Sequence, residues 1–595
     1  MNETSIKMIP YGISDYTLIR QDNYYYVDKT AYIPIIERSG RYLFFIRPRR
    51  FGKSLLLNVL DAYYSIAMKD KFDFFFKGTE IYHHPTTERN AYMILKLNFS
   101  ATDPESPHIE NSLYTYMLEV GELFISTYHP WLGVDETKSI AELKTRETVI
   151  DALRYLISLG RKSGHKLYVI IDEYDNFANT ILTTSGKDAY QRLTHGEGFF
   201  KAIFSVLKEG TTSNDAPITR LFITGVSPVT LDDVTSGFNI GKNISLEPSL
   251  GRMLGFTQKD VAEMIDYYRQ NGWIDHSTEY LMSIMEEFYG NYRFTPMDDV
   301  KLFNPDMVLY FMDNYLEPKK IPEDLIDRNV RIDYGKLRHL IILDQGKTKI
   351  TNGNFSKLKE IIEEGETTSL ISKGFPLDEM MNSDNFKSLL FYFGLLTIKG
   401  TEKDRLRLEI PNETIRRLYY DYIKAAYRET GVFSIDLSHY SSLMTNMAYD
   451  GEWQPLFDYL SGCIRESMSL RDLMTGEKSI QAFLNIYLGL SNLFIIHTEK
   501  ELNKGYADIV MEPFTAGYEG IKYSYVLEIK YIKKSGEKRK TKPSKAVIEK
   551  LKIDAGEQLQ RYSIDEKFRK SMESTHVIKL VLIFHGSDLI FIGPQ

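Results

Sequence analysis

Arg47-Pro48-Arg49-Arg50-Phe51-Gly52-Lys53-Ser54 lies between an apolar run, Arg41-Tyr42-Leu43-Phe44-Phe45-Ile46, and an amphipathic stretch, Leu55–Ile66. The run reads as a buried strand and the stretch as a helix, so the octapeptide is a strand-to-helix turn. Its spacing follows G-x-x-x-x-G-K-[S/T] except at the first position, where Arg47 stands in place of glycine. In such a loop the backbone amides, here those of Arg49, Arg50, Phe51 and Gly52, surround nucleotide phosphates. Gly52 lets the main chain come close, Lys53 reaches the β- and γ-phosphates, and the Ser54 hydroxyl holds Mg²⁺. The following helix turns its positive end toward the anion. An ordinary basic turn has the same composition, so the neighbouring segments have to decide.

Two of them do. Lys166-Leu167-Tyr168-Val169-Ile170-Ile171-Asp172-Glu173 is an apolar strand ending in two acids. Carboxylates at the C-terminal end of a strand face the ligand crevice of an open α/β sheet. Asp172 is expected to support Mg²⁺ and Glu173 to polarise an attacking water. Leu221-Phe222-Ile223-Thr224-Gly225-Val226-Ser227-Pro228 is a further strand ending in small polar residues, where Thr224 or Ser227 is expected to sense the γ-phosphate. Either residue could equally cap a turn. Tyr92–Phe99 supplies another strand, and helical periodicity fills Glu110–Tyr128 and Ile140–Leu159. Strands separated by helices predict a parallel sheet covered on both faces.

Tyr11-Gly12-Ile13-Ser14-Asp15-Tyr16, Tyr26-Val27-Asp28-Lys29-Thr30 and Arg47–Ser54 occur in order with Asp172-Glu173-Tyr174-Asp175, Ile223–Pro228 and Tyr289-Gly290-Asn291-Tyr292-Arg293-Phe294. Together these motifs resemble bacterial AAA-ATPase-like proteins over residues 5–345. The resemblance implies ATP and Mg²⁺ as cofactors and a place near the nucleotide for Asp28-Lys29-Thr30. An arginine-proline start to the loop is usual in that family. Arg252 and Arg293 are candidates for a completing arginine. A homo-oligomer is compatible with the resemblance, because many AAA-like ATPases complete their sites between subunits.

A second cluster runs Lys504-Gly505-Tyr506-Ala507-Asp508-Ile509-Val510-Met511, then Tyr525-Val526-Leu527-Glu528-Ile529-Lys530. Period-two geometry places Glu528 and Lys530 on one face of a strand. Carboxylates converging from paired strands offer Mg²⁺ hard oxygen ligands, here Asp508 and Glu528, and the lysine can stabilise charge developing on phosphate. This pattern resembles the PD-(D/E)XK nuclease superfamily. The resemblance makes Asp508 and Glu528 the two acids, Lys530 the lysine, and Glu477 an additional acid. It also makes Gln558 and Tyr562 secondary candidates on a following helix. An arginine found before the first acid in some members is replaced here by Tyr506 and Ala507. Between Lys530 and Lys552 ten basic residues face only Glu537 and Glu549, a local balance of 10 − 2 = +8 that suits phosphate-backbone contact.

Composition bounds the rest. The chain has 595 residues, enough for about three to five compact units. With 73 Lys and Arg against 81 Asp and Glu the net charge is −8, so a wholly basic nucleic-acid coat is excluded and contacts must be local. The sole cysteine, Cys463, rules out an intrachain disulfide and a multi-cysteine zinc site. Apolar runs fall far short of the ~20 residues that span a bilayer, and the N-terminus has no signal-peptide pattern. A cytoplasmic protein without a membrane partner is expected. No HExxH or G-x-S-x-G motif is present.

The expected fold is α/β: an N-terminal P-loop NTPase parallel sheet (5–255), a helical lid (256–345), a helical connector (346–465), and a C-terminal α/β restriction-endonuclease-like domain (466–595). The expected function is ATP binding and hydrolysis coupled to metal-dependent cleavage of nucleic acid, with DNA favoured. The alternatives are a nucleotide-switched binding module that does not cut, and a scaffold with neither activity.

Overall fold

The computed structural model describes residues 6–101, 109–176, 190, 198–212, 215–229, 239–330, 353–380, 382–429, 436–468, 477–502, 505–515, 518–533, 543–562, 569 and 572–595. Two compact units divide the chain. One comprises Met1–Lys319, Arg328–Asp344 and Glu366–Glu413, and the other Lys320–Asp327, Gln345–Gly365 and Thr414–Gln595. The expected connector is shared between them.

The first unit is built on a five-stranded sheet of β1 (Tyr42–Ile46), β2 (Met93–Asn98), β3 (Leu167–Asp172), β4 (Ile218–Gly225) and β5 (Lys242–Asn243), in the order β2-β3-β4-β1-β5. Every pairing is parallel. All six residues of β3 are buried, as a strand covered on both faces requires. Helix α1 (Lys53–Tyr64) follows β1 directly. Its core face is Leu56, Leu57, Leu60, Tyr63 and Tyr64, at helical spacing. Parallel pairing brings the C-terminal ends of β1, β3 and β4 to one edge, and β4 lies between the strands that precede Ser54 and end in Asp172.

The helix expected over Ile140–Leu159 is two helices, Glu136–Lys144 and Val149–Ser163. Between them the Thr148 hydroxyl accepts the Asp151 amide at 3.1 Å, starting a new helix instead of continuing the old one. The lid region holds helices Gln258–Gln270, Thr278–Tyr289 and Pro305–Leu316. Their N-caps are Thr257, Ser277 and Asn304, and Thr257 forms a capping box with Asp260.

The stretch expected to be a helical connector also carries an antiparallel sheet. It consists of β6 (Glu366–Ser369), β7 (Thr397–Glu402) and β8 (Arg405–Glu409), with β8 in the centre. These strands are polar and half-exposed, so they lack the apolar alternation that marks a strand. Ion pairs from Arg407 to Glu366 at 3.0 Å and Lys399 to Glu409 at 3.3 Å tie them together.

The second unit centres on a mixed sheet in sequence order: β9 (Phe494–Leu502), β10 (Gly505–Pro513), β11 (Tyr523–Ile532), β12 (His576–His585) and β13 (Asp588–Pro594). Only β11 and β12 run parallel, and helix α2 (Lys545–Tyr562) makes the crossover between them. Val510, Val526, Val581 and Ile583 pack against Ala555, Leu559 and Tyr562 of α2. Period two puts Glu528 and Lys530 on that same face of β11. Among the described residues no helix is long and apolar enough to cross a membrane.

Candidate functional site

The turn after β1 is a left-handed bend. Gly52 has φ +90° and Arg50 φ +64°, and Gly52 caps α1 without a side chain, leaving the first amides of the helix open. Lys53, 6% exposed, folds back so that Nζ donates to the carbonyls of Arg47 at 3.0 Å and Pro48 at 2.9 Å. Burial pulls its pKa down, opposed by the carboxylates of Asp172, Glu173 and Asp175. Next to it the Ser54 hydroxyl donates to Asp172 Oδ2 at 2.6 Å. The Thr224 hydroxyl, at the end of the intervening strand, donates to Asp172 Oδ1 at 2.7 Å. One carboxylate thus joins the helix start, β3 and β4.

Glu173 follows at φ +50°, a conformation costing about 1–3 kcal/mol in a residue with a Cβ. Burial raises its pKa, Lys53 opposes that rise, and Asp172 adds to it. A cavity of about 610 Å³ opens here, lined by Arg49, Gly52, Lys53, Ser54 and Glu173 and faced by Tyr26. Its size suits a nucleotide. Asp172 and Thr224 stand behind Ser54 rather than on the lining.

The other expected residues are distributed unevenly. Phe51 is buried between Tyr292 and Phe294, with ring centroids 4.9 and 5.2 Å away, so only its backbone can serve a ligand. Arg50 pairs with Asp306 at 2.8 Å, and Arg49 donates to Asn176 at 3.4 Å. Lys29 and Thr30 line the cavity, whereas Asp28 accepts the amides of Thr30 at 2.9 Å and Glu80 at 2.7 Å. Ser227 is buried and accepts the Val229 amide at 3.3 Å, the turn-capping reading. Arg252 is ion-paired with Asp298. Arg293 donates to the carbonyls of Asp298 at 2.6 Å and Pro296 at 2.9 Å and pairs with Asp299 at 2.8 Å.

Sequence reasoning gave no role to Asp175. Its buried carboxylate accepts the amides of Val226 at 3.0 Å and Ser227 at 2.6 Å, binding the segment after β3 to the end of β4. The only signal was its place in Asp172-Glu173-Tyr174-Asp175.

In the second unit, β10 and β11 pair as Val510↔Val526 and Ile509↔Leu527, and the next residues in that register are Asp508 and Glu528. There Asp508 Oδ2 accepts the Ile529 amide at 2.7 Å, while Gln481 donates to the Asp508 carbonyl at 2.7 Å. Glu528 is 2% exposed, with Oε1 on Lys530 Nζ at 2.8 Å and Oε2 buried without a hydrogen-bond partner. Burial and the Glu528 and Glu477 carboxylates push Asp508 up to about 7. Burial raises Glu528 as well, held back by Lys530. An unpartnered carboxylate oxygen beside a second acid is a donor set that fits a hard divalent cation. Among the described residues no group of three or more His, Cys, Asp or Glu is arranged to hold a metal. Tyr562 donates to the Tyr506 carbonyl at 2.7 Å, and Gln558 is half-buried on the same helix. Of the basic run, Lys534, Lys538, Arg539, Lys540 and Lys542 lie outside the described residues, as does Lys504. Lys533 is exposed, and Lys545, Lys550 and Lys552 are on α2.

Residues 10–235 match the family model described as predicted AAA-ATPase, and residues 475–592 match the one described as PD-(D/E)XK nuclease superfamily. Two separate stretches of the chain thus match two different families, the AAA-ATPase-like one ahead of the PD-(D/E)XK nuclease one. It is 26% identical over 258 residues to an uncharacterized protein in the vnfD 5′ region of Azotobacter chroococcum mcd 1, a match spanning 43% of this chain and 44% of that protein. Among solved structures it is similar to the Aeropyrum pernix ORC2 protein in its ADPNP-ADP complexes, at 12% identity and TM-score 0.31, covering 72% of this chain and 98% of that one. Cdc6p from Pyrobaculum aerophilum matches at 12% identity and TM-score 0.27, covering 72% and 97%. The parallel strand order β2-β3-β4-β1-β5 and the left-handed bend before α1 define the fold of the first unit.

Proposed function

We propose that the first unit binds ATP with Mg²⁺ and hydrolyses it, and that the second unit cleaves nucleic acid with a divalent cation. The observation that carries the first half is the Ser54–Asp172 contact of 2.6 Å beside Lys53 at the mouth of a 610 Å³ cavity. The amides from Arg49 to Ser54 receive the phosphates and Lys53 turns from its own carbonyls to them. Ser54 would hold Mg²⁺, with Asp172 behind it supporting the ion directly or through its water shell, and the ion would supply positive charge to the phosphates. Glu173 faces the cavity and accepts the proton of the attacking water, while Thr224 fixes Asp172.

In the second unit Asp508 and Glu528 would hold the cation, which would supply Lewis acidity toward a phosphodiester. Lys530 leaves Glu528 for the phosphate. DNA is the favoured substrate, with the basic residues of 530–552 on its backbone. The reading is tested by incubating purified protein with DNA and Mg²⁺: wild type should cut and Asp508→Ala should not, and equal cutting by both would remove it. A module that grips nucleic acid without cutting is favoured by one observation: the Glu528–Lys530 pair already gives Glu528 an internal counter-charge. The same assay separates the two readings, since a gripping module retards DNA without shortening it.

A further inference from the structure

The residue that departs from the phosphate-loop pattern is also among the largest fully buried side chains of the described residues. Arg47 is 1% exposed. Its guanidinium lies between two aromatic faces, 4.4 Å from the Phe45 centroid and 4.5 Å from that of Phe294. Nη1 donates to the carbonyls of Ile46 at 3.0 Å and Ser245 at 2.6 Å, and Nη2 donates to Leu250 at 3.4 Å. Nε is buried without a partner. Among the described residues no carboxylate pairs with this cation, and burial pulls its pKa down to about 9. Its backbone meanwhile belongs to the loop: the Arg47 amide donates to Gly225 at 3.2 Å and its carbonyl takes Lys53 Nζ.

A buried charge without a counter-ion is costly, and carbonyl dipoles and ring faces offset the cost only in part. The same low-dielectric surroundings let its field reach further than that of a surface arginine. The guanidinium is turned into the core and is not on the cavity lining, so a bound polyphosphate would act on it through the loop as a field rather than by contact.

We propose that Arg47 is a positioning residue that selects for the number of phosphates: a buried, uncompensated cation beneath the loop whose counter-charge is the polyphosphate of the bound nucleotide. This rests on the nucleotide reading of the first unit. It implies that Arg47 discriminates triphosphate from monophosphate without touching either, and that Met, apolar and of similar length, cannot replace it.

The test is titration calorimetry of ATP, ADP and AMP, each with Mg²⁺, on wild type, Arg47→Met and Arg47→Lys, with thermal unfolding to show that each variant is folded. Arg47→Met should lose about tenfold or more in ATP affinity, about 1.4 kcal/mol or more, less for ADP, and little for AMP. Arg47→Lys, which keeps the charge without the planar fork, should hold the ATP-to-AMP ratio within about threefold of wild type. A loss in Arg47→Met that is equal for all three ligands overturns the proposal, because a purely structural role would weaken them alike; so does no loss. If Arg47→Met does not fold, Arg47→Gln, which keeps a polar side chain but removes the charge, decides: a loss graded from ATP through ADP to AMP supports the proposal, and an equal loss or none overturns it. Wild type that binds none of the three removes the nucleotide reading itself, and this proposal with it.

Discussion

Ser54 Oγ donates to Asp172 Oδ2 at 2.6 Å although the two residues are 118 positions apart in the chain. A hydrogen bond to an ionised carboxylate contributes about 1.5–3 kcal/mol, and this one fixes the helix start against the end of β3. Asp172→Asn keeps the shape and removes the charge. ATP hydrolysis should fall about a hundredfold or more, while Mg²⁺-free nucleotide affinity changes by less than about threefold. Steady-state phosphate release and a binding titration in chelator check both.

Two glycines should respond differently to alanine. At Gly52 a Cβ meets nothing within 4 Å, so only its φ of +90° opposes the change, at a cost of about 1–2 kcal/mol. At Gly225 a Cβ overlaps Asp175 Oδ1 and the Tyr174 ring. Gly225→Ala should therefore cost clearly more than Gly52→Ala, read as a larger drop in the denaturation midpoint at unchanged slope.

Lys530 neutralises a carboxylate that is almost wholly buried. Lys530→Met should destabilise the second unit by about 3–5 kcal/mol, the range for removing one partner of a buried pair. Adding Glu528→Gln should restore most of that loss, because the stranded charge is gone. A double-mutant cycle by denaturant unfolding reads the coupling; additive effects would deny the pair its role.

In chelator, the second unit should lose stability as pH rises from about 4 to about 7. Asp508 stays protonated to about 7 in the folded chain, against an ordinary 3.8 when unfolded. Across that window the folded state binds more protons, so raising the pH favours unfolding. Glu528, also raised, adds in the same direction. Asp508→Asn should flatten this slope, and a divalent cation should oppose it by favouring the ionised pair. Thermal unfolding across the window, with and without Mg²⁺, gives the sign.

Where local chemistry dictated local structure, the sequence was legible. The parallel sheet followed from apolar runs separated by helical periodicity, and period two put Glu528 and Lys530 on one face of a strand, whereas the pairing of Asp508 with Glu528 as the two acids leaned on the family resemblance. The sheet of β6–β8 was not, because its Thr, Lys, Glu and Arg residues pair by charge and leave no apolar stripe. Nor was the break at Thr148, where a hydroxyl competes with an otherwise continuous helical pattern. The least legible residue was Arg47. A departure from the glycine pattern reads as a weaker loop, and only packing against Phe45 and Phe294 shows the side chain turned away from the loop into the core.

The central claim is that a nucleoside triphosphate occupies the bend before α1 with Lys53 on its phosphates. Titration calorimetry of ATP with Mg²⁺ into wild type and Lys53→Ala tests it most directly. The account predicts a saturable single-site isotherm for wild type and none for a folded Lys53→Ala. Binding of equal strength in both would contradict it.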